Sequence, residues 1–253
     1  MAIPASSISE VISELDGIIE TCLVENNKMG LFAALYRKVT QRVQEGIAQE
    51  RFEDGARMEK LDVLFANRFL EAYQDYRALK PITGSWRLTF EAARKPNLHI
   101  MQHLLAGMNT HISLDLGIAT AAVSIGQPLS VMERDFNQIN HVLSDLIDTV
   151  QEAMGKSSPA LAVLDWVAGK WDEKFAKANL EHFRKRAWDV ASQLAHLNDA
   201  ARQQMILALD AQVMRENWWF TDLSSRLLPA FIRLATLVQN RKVADVIRAF
   251  NTI

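Results

Sequence analysis

Cysteine is almost missing from this chain: Cys22 is the only one in 253 residues. A lone thiol closes no intrachain disulfide and cannot by itself supply a thiolate metal cluster. An excess of charge of one sign is also missing, since 28 basic residues stand against 30 acidic ones for a formal net charge of −2. No global field therefore draws the chain to nucleic acid or to an anionic membrane. The notable basic cluster, Lys174, Lys177, Arg184, Lys185 and Arg186, is interleaved with Glu173, Glu181 and Asp189 and reads as a solvated helix face. The glycine patterns of nucleotide loops and the G-x-S-x-G elbow of serine hydrolases do not occur. At the start, Glu10, Glu14 and Asp16 fall where an export signal is apolar, so a cytoplasmic protein is expected.

What is present is helical periodicity, nearly end to end, with no convincing run of alternating apolar and polar residues. The fold is expected to be all-α: one domain over residues 1–253, a bundle of about eight to ten helices, with a subdomain break at Gly155–Pro159 as the one candidate boundary. Ser7 with Glu10, and Ser130 with Glu133, have capping-box spacing. A helix over about Ala56–Ala78 puts Asp62 among Met58, Phe65, Ala66 and Phe69, so this carboxyl is expected to point inward, with Asn67 and Arg68 nearer the edge.

The chain is organised around Asn97–Ile125, whose one formal charge is Asp115. Gln102, His103, Asn109, His111 and Asp115 make it a poor lipid-facing segment, so it is read as the buried central helix of a bundle and no membrane is expected as partner. His103, Gly107, His111 and Asp115 recur every four residues along one side, while Asn109 and Thr110 serve another. A histidine and an aspartate one turn apart can give a nitrogen and an oxygen to Zn, Fe or Mn. The enzymatic reading is a metal-dependent hydrolase with His111 and Asp115 as metal ligands and Asp62 and His103 as further ligands or catalytic base. In it His103 reaches toward His111 over the small Gly107, and an inward Asn140 with its neighbour His141 completes the candidates. The competing readings are a structural His–Asp network in a binding or scaffold protein, and an apolar small-molecule pocket beside Met101, Leu105 and Met108.

Two blocks carry a resemblance: LDVLFANRFLEAY, Leu61 to Tyr73, and LHIMQHLLAGMNTHISLDLGIA, Leu98 to Ala119. They look like the signature blocks of an uncharacterised helical family, number 5995 in the domain-of-unknown-function series, and the likeness extends from about Leu31 to Asn140, including DFNQIN at Asp135 to Asn140. The resemblance implies that Asp62, Asn67, Arg68, His103, Asn109, His111 and Asp115 belong to the family's motif, and it implies no activity. A looser analogy, to helical zinc phospholipase C and nuclease-type enzymes, extends only to the spacing of His111 and Asp115 and to the helical class. Heme-oxygenase-like di-iron proteins share only the class.

Overall fold

The computed structural model describes residues 3–95, 98, 100–143, 170–221, 244, 247 and 248, and every regular element among them is helical. The chain is all-α. Helices α1 (Ile8–Glu25), α2 (Met29–Ala48), α3 (Gly55–Arg77) and α4 (Gly84–Ala93) come first. Helix α5 (Ile100–Thr110) runs through a π-helical turn (His111–Leu116) into α6 (Gly117–Val123). A 3-10 turn (Leu129–Met132) leads into α7 (133–143), followed by α8 (Lys170–Ala195) and α9 (Asp199–Thr221). The boundary expected at Gly155–Pro159 lies outside the described residues. No helix among the described residues is long and apolar enough to cross a membrane.

Helix ends follow local chemistry. Ser7 accepts from the Glu10 N–H at 3.2 Å, satisfying one of the donors a helix start leaves open. Asn26 closes α1 in the left-handed region at φ 51°. Two buried or half-buried carboxylates from distant elements tie down later starts. Asp135 accepts from the Glu53 N–H at 2.7 Å, the Asp54 N–H at 3.1 Å and the Arg57 guanidinium at 2.9 Å. Asp210 accepts from the Gly84 and Ser85 N–H groups at 2.7 and 3.0 Å. The box expected at Ser130 and Glu133 gives way to a 3-10 turn, because the Val131 N–H bonds back to the carbonyl of Pro128 at 3.1 Å.

The rod of α5, the π turn and α6 is the axis of the bundle. Helix α2 packs on α5, α3 on the π turn and α6, α4 on α5, α8 along the π turn and α6, and α9 on α5 and the π turn. Close approach depends on two missing side chains. A Cβ at Gly117 would lie 2.9 Å from the Ala187 carbonyl oxygen and 2.8 Å from Val190, so glycine lets α8 settle against the rod. A Cβ at Gly107 would lie 2.7 Å from the Phe32 ring. Phe32, Phe69, Trp86 and Phe90 are buried around that point, each stabilising the core by roughly 1.5–3 kcal/mol.

Candidate functional site

The site is built around the one carboxylate of the central rod. Asp115 is fully buried. Its Oδ1 accepts from Arg68 Nε of α3 at 3.0 Å, and its Oδ2 accepts from Trp86 Nε1 of α4 at 2.9 Å. His111 Nδ1 lies 3.2 Å from the same Oδ2. A carboxylate already facing the Arg68 guanidinium has no proton to give, so the imidazole is the donor through Nδ1–H and keeps its lone pair on Nε2. Burial holds His111 below the usual histidine range, against the opposing pull of Asp115. A neutral imidazole is thus clamped in one tautomer by one carboxylate, and three elements meet at that carboxylate.

The π turn contributes to this geometry. Its backbone bonds run from i to i+5, a wider turn that brings side chains four apart closer in angle than an α-helix does, and such turns are frequent at functional positions. The His111 ring is stacked on Phe65 with centroids 3.7 Å apart and planes 9° apart. Tyr36 meets it at 4.5 Å edge-on, and Phe32 at 5.7 Å. His111 Nε2 is buried among these rings without a hydrogen-bond partner in the described residues.

Three further polar groups are buried on the α2 and α3 side. Asp62 is 6% exposed, and its Oδ2 has no hydrogen-bond partner in the described residues. Burial, with the nearby Glu59 charge, pushes its carboxyl up to about 7. The Tyr36 and Thr40 hydroxyls are likewise buried, with no hydrogen-bond partner at ordinary geometry among the described residues. Burial first, and then the charges of Asp62 and Asp115, raise the Tyr36 phenol well above its ordinary range.

The other sequence candidates disperse. His103 is buried on α5, and the Phe32 ring of α2 lies against Gly107, between the positions of His103 and His111 along the rod. Asn67 bonds the backbone of Ala5 in both directions, at 2.9 and 2.8 Å, and anchors the N-terminal segment. Asn109 turns to α9, donating to Asn217 Oδ1 at 3.0 Å and accepting from Ser113 at 2.8 Å. Thr110 joins Thr89 at 3.0 Å in the same network. Asn140 accepts from the buried Arg184 of α8, whose guanidinium lies over the Phe136 ring, and His141 is exposed. Among the described residues, no three His, Cys, Asp or Glu side chains come together as a group that could hold a metal ion.

The sequence does not single out Trp86, nor the α2 residues Phe32, Tyr36 and Thr40. The available signal was general: a buried indole N–H needs an acceptor, and the central helix offers one isolated carboxylate.

One family model, described as a family of unknown function (DUF5995), matches residues 8–222. No curated protein and no solved structure matches the chain.

Proposed function

The chain belongs to that family of unknown function, and from this premise we propose that it is a non-catalytic binding or scaffold protein whose His111–Asp115 network supports the bundle. The observation that carries this reading is the occupation of both Asp115 oxygens by Arg68, Trp86 and His111. A catalytic zinc site uses three protein ligands and an open position for water. Here His111 Nδ1 and the carboxylate are turned to each other and to donors from α3 and α4, which suits a network that fixes three elements in one arrangement. The stacked Phe65 and the edge of Tyr36 also cover the imidazole, where a hydrolase would need water and substrate.

The reading is tested by metal dependence. Protein treated with a chelator is expected to melt at the same temperature before and after Zn, Mn or Fe is added. A melting temperature that climbs with metal concentration, as binding to the folded state requires, and that stops climbing in His111→Ala, would restore the metal-dependent hydrolase, with His111, Asp115, Asp62 and His103 as its ligands.

A further inference from the structure

Helix α9 presents a second apolar stripe that the bundle does not use. Its inward side carries Leu209 and Val213, both buried with the half-buried Ile206 beside them, and one such face is what a surface helix needs. Leu207, Met214 and Trp218 are nevertheless 68%, 39% and 56% exposed. With the half-buried Ala211 they stand four, three and four residues apart, the a and d spacing of a helix that pairs with another helix. No other helix among the described residues exposes more than one large apolar side chain, so the stripe is particular to α9.

The stripe lies beside α4 and is bordered by cations. Met214 Sδ would be 2.8 Å from a Cβ at Gly84, and Asn217 donates to Thr89 at 3.0 Å, so α4 and α9 run side by side in the same direction. Arg87 of α4, between those two contacts, and Arg215 of α9 are both exposed, and neither makes an ion pair among the described residues. The acids of this part of α9 are engaged elsewhere: Asp210 accepts from the start of α4, and Glu216 pairs with Arg186 at 2.8 Å. Glu91, the next exposed acid on α4, lies past the Thr89 contact.

We infer that Leu207, Ala211, Met214 and Trp218 form a docking seam for an amphipathic helix of another protein, one with apolar residues at heptad spacing and acidic residues on their flanks. The stripe takes the apolar anchors of such a helix, and Arg87 and Arg215 favour acids beside them. A second copy of this chain would bring the same two cations to the seam, so charge opposes self-pairing. A helix lying on a membrane buries a broad apolar face, whereas this stripe is one side chain wide, with Gln203, Gln204 and Gln212 exposed around it. The seam shares no residue with the Asp115 network, and its role is independent of the one given to His111 and Asp115.

Fluorescence polarisation of a labelled synthetic helix of three heptads, with leucine at a and d and glutamate at e and g, titrated with the full chain, tests this. The same peptide with lysine at e and g is the control. Saturable binding of the glutamate peptide is expected, about tenfold tighter than that of the lysine peptide and weakened by about tenfold or more in Leu207→Glu and in Trp218→Ala. Arg215→Glu is expected to bring the two peptides level at an unchanged melting temperature, which separates loss of the seam from loss of the fold. No binding of the glutamate peptide, equal binding of both peptides, or binding that survives Leu207→Glu and Trp218→Ala would overturn the inference. So would a dimer in sedimentation that dissociates in Leu207→Glu, which would seat a second copy on the seam, or phosphatidylserine vesicles that retain the wild type and not that variant. A lower melting temperature in Leu207→Glu would mean that the chain itself covers the stripe, and would overturn it as well.

Discussion

Replacing Asp115 by alanine is expected to lower the unfolding free energy by about 3–5 kcal/mol, the range for removing one partner from a buried charged pair. The loss divides unevenly among the three donors left behind. Arg68 has a side chain 32% exposed and can swing its guanidinium into water, so its share is small. Trp86 and His111, at 1% and 2% exposure, cannot reach water. Each strands a buried N–H at about 1–3 kcal/mol, and the emptied volume adds to that. Asparagine is a sharper probe. All three partners are donors, and an amide offers one acceptor oxygen, which can serve Trp86 and His111 while its NH2 faces Arg68. Asp115→Asn should therefore cost less than the alanine, and chemical denaturation at neutral pH measures both. Equal losses in the two variants would mean that the charge facing Arg68 matters more than the acceptors facing Trp86 and His111.

Asp62→Asn is expected to stabilise the protein at alkaline pH by a few kcal/mol and to change little in acid. The folded chain holds the Asp62 proton up to about pH 7, whereas the ordinary value is 3.8. Between those values the folded state binds more protons than the unfolded one. The contribution of Asp62 is therefore fully present below the lower value and is lost as pH rises through the upper one. The loss is on the order of 4 kcal/mol, from about 1.4 kcal/mol per pH unit. Burial raises this carboxyl first, and the Glu59 charge raises it further. His111 works in the other direction. Its folded-state value lies below the ordinary 6.5, so the unfolded chain takes a proton that the folded one refuses, and stability falls as pH drops below that point. The variant removes the alkaline loss and leaves the acid one. Denaturation midpoints compared at about pH 5 and pH 8 check this, and an unchanged midpoint at the higher pH would show that Asp62 is ionised in the folded protein at no cost.

Much of the helical frame was legible because its information is local. The stripe Ile8, Val11, Leu15, Ile18, Ile19 and Cys22 is the buried face of α1, and Asp62 is buried as its neighbours at helical spacing require. Asn97–Ile125 reads as the axis because it is apolar nearly all round, and among the described residues five helices pack against the α5–α6 rod. What stayed hidden depends on pairing between distant elements. Nothing in HISLDL marks a π turn, and the side chains that meet His111 and Asp115 there come from α2, α3 and α4. Gly107 gives its size away, and whether a ligand or the Phe32 ring fills the gap depends on how α2 docks. Arg68 on a helix edge and Trp86 on a short helix look like surface and core residues respectively. Only the fold makes them the two clamps of one carboxylate.

The structural role of the pair rests on how His111 is held, and nitrogen NMR of its imidazole near neutral pH, recorded before and after zinc is added, reads that directly. The predicted result is a neutral ring protonated at Nδ1, bonded to Asp115 and indifferent to zinc. An imidazolium, a bare Nδ1, or a resonance that moves on adding zinc would mean that Asp115 does not hold the histidine as described, and would contradict the structural role assigned to the pair.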